Sequence, residues 1–434
     1  MKKPVNENYS ATVAEIKYLV PLANCDNVVH ANLFGNLVVV SKETKIGDIG
    51  VFFPIETELS ESFLSSNNLY RESTLNKDQT AKGYFEKNGR IRAVKFRQNA
   101  SMGIFLPLSC LDFTEHKENL KVGDSFDEIN ETVICKKYVS RKSVSSGGGK
   151  SSGASKKIED ILLPNQFRFH SDTVQLGKNM HRLTPNSVVH ISYKLHGTSF
   201  VASNILCKKK LSQWDKIGKL LRFNVMEKEY KNIFSSRRVI KNLTEKSPLN
   251  TKTDIYEIVN NRLKDFLDEG MTIYGEIVGF TPDGTYIQRH FDYGCNPGEH
   301  MIAIYRITHT TSTGKVIELS AGQVQDWCKK HFLGSKVVPV PELYYGKLKD
   351  IEGLQTADLS DEIFSIKVLE RLKELYLEKD CYLCKKKVPA EGIVIRTEGK
   401  CELEVFKYKS FRFYEFETKE LDEGVLDIEE SQGE

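Results

Sequence analysis

The sequence predicts an α+β protein in which an N-terminal β-barrel module precedes a larger domain of antiparallel sheets and helices. Short β-rich runs separated by turn signals fill the first 130 residues. Residues 141–157, RKSVSSGGGKSSGASKK, contain almost nothing to bury and indicate a flexible linker. Beyond it, strand and helix patterns alternate. The expected division is a module at 1–140, a linker at 141–157, a domain at 158–416 and an acidic tail at 417–434.

The N-terminal runs have the period and the turns of short strands. Gly35-Asn36 is a hairpin signal between two of them. One run alternates basic and apolar residues, with a slip at Ala93-Val94 that suggests a bulge. Five strands favour an OB-fold, which binds nucleic acid, although an SH3-like barrel would give much the same pattern. The predicted strands are Asn27–Phe34, Leu37–Val40, Val51–Glu56, Arg90–Arg97 and Gly103–Leu108.

The larger domain alternates helix and strand signals. Ile255, Val259, Leu263 and Leu267 fall on one helical face, and Gly270 stands where a C-cap glycine belongs. Two further helices are predicted around Val324 and Trp327, and around Leu369, Leu372 and Tyr376. The predicted strands are Met271–Phe280, Glu391–Arg396 and Glu404–Lys409.

The composition is that of an ordinary soluble protein, with 40% hydrophobic and 28% charged residues in 434. No apolar run approaches the ~20 residues of a membrane span, and the start, MKKPVNENYS, has no apolar core of a secretory signal. Nine scattered cysteines favour a reducing, intracellular compartment, so we expect a cytoplasmic protein. Cys381 and Cys384 form a CxxC without a second pair, which favours chance or a surface turn over a metal site.

The charge is segregated, although the net charge is only +3. Between Lys208 and Lys252 there are thirteen Lys/Arg against four Asp/Glu, and from Glu415 to Glu434 nine acidic residues against one lysine. The basic segment suits a polyanion, although a solvated helical face explains any single lysine equally well. We expect the acidic end to be a disordered tail.

Lys194 lies in the stretch SYKLHGTSF, beside a histidine and a glycine, in a context that a solvated surface lysine does not need. Four further short stretches follow it in order. Singly they are weak, but as a set they resemble the covalent nucleotidyltransferase superfamily, namely the DNA ligases, RNA ligases and mRNA capping guanylyltransferases. The resemblance covers roughly residues 160–416 and implies ATP-grasp-like antiparallel sheets with helices. The five stretches are Lys194-Leu-His-Gly-Thr-Ser, Tyr274-Gly-Glu-Ile-Val-Gly, Ile302-Ala-Ile-Tyr-Arg-Ile, Glu391-Gly-Ile-Val-Ile-Arg and Phe406-Lys-Tyr-Lys.

The resemblance implies a covalent phosphoramidate chemistry. The amine of Lys194 would attack the α-phosphorus of a nucleoside triphosphate and expel pyrophosphate, for which it must first lose its proton. Lys407 and Lys409 alternate along a strand and share one face, from which they would hold the α-phosphate. Glu391 would bind Mg²⁺ or Mn²⁺ directly or through its water shell.

The nucleoside contacts are also implied by the resemblance. Glu276 would accept a hydrogen bond from the ribose, and Tyr305 would stack on the purine, although a plain core aromatic explains Tyr305 equally well. Arg237 or Arg238 would contact the nucleotide or the RNA end, and the sequence does not choose between them.

The branch of the superfamily is indicated by what surrounds the motifs. Only 25 residues follow Lys409, whereas capping enzymes and most DNA ligases place an OB domain there. Ser199 and the stretches Phe169–Leu176 and Lys407–Phe413 resemble RNA ligases that repair RNA, sealing 3′-OH/5′-phosphate nicks with ATP through lysyl-AMP and adenylylated RNA. We expect a monomer that grips nicked duplexes through phosphate contacts of Arg90, Arg92, Lys95 and Arg97, without membrane association.

The residue at His196 departs from the family, which usually has aspartate there. Metal binding through that side chain is therefore in doubt, whereas the nucleophile and the later motifs are present. Two alternatives stay open: another covalent nucleotidyltransferase, either a capping enzyme or a DNA ligase, and a catalytically decayed RNA-binding protein. Because the nucleotide site lies wholly after residue 160, we expect a fragment starting near residue 158 to form the lysine–AMP adduct but to seal nicks poorly.

Overall fold

The computed structural model describes residues 3–22, 24–114, 120–139, 161–241, 254–355, 361–400 and 402–424. The predicted linker at 141–157 lies outside these residues. Within them, no helix has the length and apolar character needed to cross a bilayer.

The N-terminal module consists of short, mostly antiparallel strands packed around two apolar clusters. A four-stranded sheet has the order β10-β1-β5-β9, and a three-stranded sheet has the order β2-β3-β4. The elements are β1 (Ala11–Glu15), β2 (Leu19–Pro21), β3 (Val28–Leu33), β4 (Asn36–Ser41), β5 (Ile49–Pro54), β6 (Thr57–Leu59), α1 (Glu61–Ser66), β7 (Val94–Phe96), β8 (Asn99–Ser101), β9 (Gly103–Pro107), β10 (Ser125–Phe126), β11 (Glu128–Ile129), β12 (Thr132–Val133) and β13 (Cys135–Lys137).

Strand β5 is buried on both faces, as the continuous apolar run Val51-Phe-Phe requires. Phe53 packs against Phe63 of α1, whereas Phe52 packs on the opposite side with the β3–β4 hairpin. The predicted hairpin is present, but its turn residues are Phe34 and Gly35, both with positive φ, rather than Gly35-Asn36.

The larger domain contains two sheets, and the chain passes from one to the other directly after Lys194. Sheet one has the order β14-β24-β23-β15-β22, and sheet two the order β17-β16-β18-β19-β20, with β21 beside β19. The elements are β14 (Val174–Gln175), β15 (Val188–Lys194), β16 (Thr198–Lys208), α2 (Gln213–Leu220), β17 (Lys228–Ser235), α3 (Ile255–Leu263), β18 (Met271–Gly279), β19 (His300–Thr310), β20 (Val316–Glu318), α4 (Ala321–Phe332), β21 (Val337–Pro339), β22 (Glu342–Lys347), α5 (Asp361–Tyr376), β23 (Gly392–Thr397), β24 (Val405–Lys409) and α6 (Phe411–Asp422).

Helices cover the outer face of each sheet. Helices α3 and α4 pack on sheet two through residues such as Val259 and Val324, and α5 packs on sheet one through Leu369 and Leu372. All three are at the predicted positions. Helix α3 ends at Leu263, however, so Gly270 is not its C-cap; this glycine, with φ of 84°, lies in the turn before β18.

Helix α6 joins the two parts of the molecule. It begins immediately after Lys409, and its residues Phe411 and Tyr414 belong to the core of the N-terminal module. The prediction that the acidic end is a disordered tail from Glu415 onward is therefore wrong for Glu415–Asp422, because burial of this apolar face stabilises a helix. Residues 425–434 lie outside the described part of the chain.

The predicted strand Arg90–Arg97 is also wrong in extent, since only Val94–Phe96 pairs as a strand. The side chain of Arg90 is 1% exposed and donates two hydrogen bonds, of 3.0 and 2.8 Å, to the buried carboxylate of Glu56. Arg90 is thus a core residue and does not present its charge to phosphates.

The other three basic residues of this run have partners within the protein as well. Arg92 forms an ion pair of 3.4 Å with Asp422, and Lys95 forms one of 2.7 Å with Glu415; the two acidic partners lie on α6. Arg97 donates to a backbone carbonyl at 2.8 Å. The acidic helix therefore occupies much of the surface that the sequence assigned to nucleic acid.

Candidate active site

The segment Leu195-His-Gly links the two sheets and places Lys194 at the seam between them. A Cβ on Gly197 would lie 2.3 Å from the carbonyl oxygen of Ile277 on β18. No side chain fits at that distance, so the glycine allows β16 to approach β18 directly after the lysine. The close approach of β16 to β18 thus explains why a glycine lies three residues after Lys194.

Strand register brings three predicted residues of sheet one together. Lys194 pairs with Gly392 on β23, and Gly392 pairs with Lys409 on β24. Glu391 precedes Gly392, and its Oε1 lies 2.8 Å from Nζ of Lys194 and 3.0 Å from Nζ of Lys409. One carboxylate oxygen, on a side chain only 2% exposed, therefore holds both cations.

The backbone of Glu391 is fixed by its neighbours. The Ser410 amide donates to its carbonyl at 3.0 Å. A Cβ on Gly392, whose φ is 148°, would lie 2.2 Å from a carbonyl oxygen on β24. These contacts hold the carboxylate in place with little freedom to move.

Two lysines on one strand have opposite electrostatic environments. Burial lowers the pKa of Lys407 to about 7, helped by the charges of Lys409 and Lys194. Burial also disfavours the charge on Lys409, but the carboxylates of Glu417 and Glu391 raise its pKa well above the ordinary value. For Glu391, the charges of Lys194 and Lys409 outweigh the effect of burial and lower its pKa to about 2.

The second Glu391 oxygen makes the site suitable for a divalent cation. Oε2 is buried and has no hydrogen-bond partner among the described residues. Those residues contain no cluster of three His, Cys, Asp or Glu side chains that could hold a metal alone. The donor set fits a cation such as Mg²⁺ or Mn²⁺ that takes its remaining ligands from water and phosphate.

A cavity of about 530 Å³ lies between the two sheets, and every predicted nucleotide-binding residue lines it. Glu276 pairs with Ser199 across β18 and β16. The hydroxyl of Tyr305 lies 2.8 Å from Nδ1 of His170, which orients the ring toward the cavity. Tyr305 is partly buried, so it is a wall of the cavity rather than a fully enclosed core aromatic.

Arg237 and Arg238 both line the cavity, and the structure distinguishes them. Arg237 forms an ion pair with Asp172. Burial alone would raise the pKa of Asp172, but the charge of Arg237 lowers it below its usual value. Arg237 is therefore the arginine whose orientation is fixed.

Sequence reasoning assigned no role to His170 or Asp172, although it singled out the stretch that contains them. The two lie two residues apart, and both line the cavity. That spacing could have indicated a shared cavity. Asn8 and Tyr9 of the N-terminal module, which also line the cavity, carry no comparable signal.

The charge of His196 helps, after those of Lys194 and Lys409, to lower the pKa of Glu391, and its ring also takes part in packing. Its ring lies edge-on to Phe291 and to Phe413, with centroids 5.0 Å away in each case. Its amide donates to the hydroxyl of Tyr293 at 2.7 Å. These contacts fix the loop after Lys194.

The structure resembles solved RNA ligases over nearly its whole length. An apo Asp-to-Ala variant of Naegleria gruberi RNA ligase matches at 16% identity with a TM-score of 0.59, covering 96% of this chain and 100% of that one. A Lys-to-Met variant with AMP and Mn matches at 16% identity and a TM-score of 0.58, covering 94% and 98%. The form with PPi matches at 16% and 0.58, covering 96% and 100%.

Family models match both parts of the chain, whereas no curated protein matches it. An OB-fold domain model covers residues 10–108, so the predicted OB-fold is confirmed. The RNA ligase model covers residues 187–409, which include Lys194, Glu391 and Lys409. This is more than half of the 434 residues, and the chain therefore belongs to the RNA ligase family.

Proposed function

We propose that this protein is an ATP-dependent RNA ligase that joins 3′-OH and 5′-phosphate ends at nicks in duplexes. The observation that carries the proposal is the position of Lys194 and Lys409 on one oxygen of Glu391, in a cavity that Lys407 also lines. The Naegleria gruberi structures contain ATP, AMP and Mn, which supports ATP as the substrate and a divalent cation as the cofactor here.

The first step would form lysyl-AMP. Lys194 releases a proton to solvent and its lone pair attacks the α-phosphorus. The bond from the α-phosphorus to the bridging oxygen breaks, pyrophosphate leaves with the electron pair, and the nitrogen releases its second proton to give the phosphoramidate. Glu391, with a pKa of about 2, is too weak a base to accept that proton and acts by position and charge. Lys407 and Lys409 offset the negative charge that develops on the phosphate. A divalent cation at Glu391 would supply further positive charge there.

Two transfers would follow. An oxygen of the RNA 5′-phosphate attacks the AMP phosphorus, the P–N bond breaks, and the nitrogen of Lys194 takes up a proton from solvent and leaves as the amine. The 3′-OH then attacks the activated 5′-phosphate and loses its proton to solvent, while the bond from that phosphorus to the AMP oxygen breaks and AMP leaves with the electron pair. Glu276 and Tyr305 would hold the nucleoside, and Arg237, oriented by Asp172, would hold a phosphate.

We also propose that the protein acts as a cytoplasmic monomer. The eight cysteines within the described residues are all free thiols, which supports a reducing compartment. The OB-fold module would contact the duplex beside the nick. Of the four basic residues predicted to bind nucleic acid, the exposed Arg97 is the one without an ion pair to α6 among the described residues.

Labelling with each nucleoside triphosphate tests the proposal. Denaturing electrophoresis after incubation with radiolabelled ATP or GTP should show an AMP adduct with the wild type and with Lys330→Ala, a matched surface lysine on α4, but none with Lys194→Ala. A GMP adduct would indicate capping chemistry, and no adduct would indicate a decayed binder. Sealing of single-stranded, nicked RNA, nicked DNA and hybrid substrates then tests the preference for nicks.

A further inference from the structure

The connection between β16 and β17 carries an unpartnered apolar surface. We call residues 208–231 the tip; it contains α2, and no residue of this helix is buried. An isolated helix of eight residues is marginal in water, and an apolar cluster of this kind on a soluble protein marks a binding surface. Its exposed apolar side chains are Trp214 (81% exposed), Ile217, Leu220, Leu221, Phe223 and Met226.

The tip is also cationic. It contains eight Lys/Arg and three Asp/Glu. Each acidic residue is taken by a lysine of the tip, in the pairs Lys209–Asp215, Lys219–Glu227 and Lys231–Glu229. Among the described residues, five cations of the tip have no ion-pair partner, and they are interleaved along the sequence with the exposed apolar residues: Lys208, Lys210, Lys216, Arg222 and Lys228.

The strands that carry the tip begin and end at the active site. Thr198 and Ser199, at the start of β16, line the cavity, as do Ser236 and Arg237 directly after β17. Strand β16 has 11 residues, so at about 3.3 Å per residue the tip lies roughly 33 Å from the lysine seam. That distance corresponds to on the order of ten stacked nucleotides.

We propose that the tip binds an unpaired segment of RNA about ten nucleotides from the ends being joined. Unpaired cations neutralise phosphates, and exposed rings such as Trp214 and Phe223 stack on bases that are not paired. Duplex bases cannot reach the rings, so the tip distinguishes substrates with a single-stranded flank. The inference rests on the proposed function for its substrate, but its binding step does not require adduct formation.

Tryptophan fluorescence tests the contact directly, because the chain has only two tryptophans. In Trp327→Phe, Trp214 is the single reporter. A 12-nucleotide mixed-sequence RNA should quench it, whereas a blunt RNA duplex of equal length and inorganic polyphosphate should not. Quenching by all three ligands, or by none, would overturn the proposal. A blue shift of Trp214 fluorescence with anionic vesicles alone would also overturn it, as would a dimer in sedimentation that Trp214→Ala abolishes.

Sealing kinetics test the consequence for substrates. For a nick with a 12-nucleotide unpaired flank, wild type should show kcat/KM at least about fivefold above that for the same nick without it. Trp214→Ala should lose this gain, and Tyr84→Ala, an exposed aromatic of the OB-fold module, should keep it. If the wild type seals nicks normally but its kcat/KM is no higher with the unpaired flank, the further inference is refuted and the proposed function is not. Absence of the AMP adduct with normal quenching of Trp214 refutes the proposed function alone.

Discussion

Replacing Lys407 with methionine should stabilise the folded protein while abolishing lysyl-AMP formation. Burial and the neighbouring lysines lower its pKa from 10.5 to about 7. Below pH 7 both the folded and the unfolded state carry the proton, and the folded state bears the full cost of the buried charge. The difference corresponds to about 5 kcal/mol at ~1.36 kcal/mol per pH unit, and partial solvent exposure reduces it to on the order of 3 kcal/mol.

The sign of the pH dependence follows from the same values. Between pH 7 and 10.5 the unfolded state keeps the proton that the folded state has lost, so the free energy of unfolding of wild type rises with pH. The advantage of Lys407→Met should therefore fall below about 1 kcal/mol near pH 10. Urea denaturation of both proteins at pH 7 and pH 10 measures this.

Lys409→Met is the matched control on the same strand, and it should have the opposite effect. The carboxylates of Glu417 and Glu391 stabilise the charged form of Lys409 despite its burial. Removal of the Lys409 charge leaves Glu391 paired with one cation fewer. We expect a loss of about 3 kcal/mol. Both variants should lose the AMP adduct, because both lysines line the cavity in which the proposed function places the α-phosphate. A Lys407→Met protein that is less stable than wild type at pH 7 would refute the electrostatic reasoning.

Three further perturbations test the packing and the ion pairs. Glu391→Gln should lower the free energy of unfolding by about 3 kcal/mol at pH 7. Because the pKa of Glu391 is about 2 in the folded protein, the difference between variant and wild type should disappear as pH falls from 4.5 toward 2. A difference in urea denaturation that stays constant with pH would contradict this. Gly197→Ala should lower the free energy of unfolding by about 1–3 kcal/mol and slow adduct formation, because the added Cβ would lie 2.3 Å from a carbonyl oxygen on β18. Gly322→Ala, at an open helical position, should not lower the free energy of unfolding. Glu56→Ala should lower the free energy of unfolding by about 3 kcal/mol or more, because it leaves the buried Arg90 without two hydrogen bonds. Asp422→Ala removes a partner of the same arginine that is 45% exposed and should lower it by less than about 1 kcal/mol; equal losses in thermal melts would argue against the burial difference.

The docking of α6 changes what is expected of a fragment that lacks the N-terminal module. Phe411 and Tyr414 lie in the module's core, so removal of residues 1–157 would expose them directly after Lys409. The expectation that such a fragment forms the AMP adduct came from the linker pattern and from the position of the nucleotide motifs after residue 160, and neither carries information about contacts between distant elements. We now expect such a fragment to be destabilised, which circular dichroism melts against the full chain would show.

Local patterns in the sequence were sufficient for the chemistry-bearing residues and most elements. Alternation placed Lys407 and Lys409 on one face, helical spacing placed α3, α4 and α5, and the five motifs identified the family. These features depend on residue type and short spacing, because side-chain direction repeats every 2 or about 3.6 residues along a regular element. They are therefore visible without knowledge of the fold.

The contacts between distant segments were decided only by the tertiary structure. Arg90 continues a basic alternation in the sequence, yet it is buried against Glu56, and the acidic end that resembles a tail folds as α6 against the same module. Lys194, Glu391 and Lys409 were each identified from the sequence, but their meeting at one oxygen depends on the register of β15, β23 and β24. Register is set by packing of the whole sheet between residues about 200 positions apart, and no short stretch contains that information.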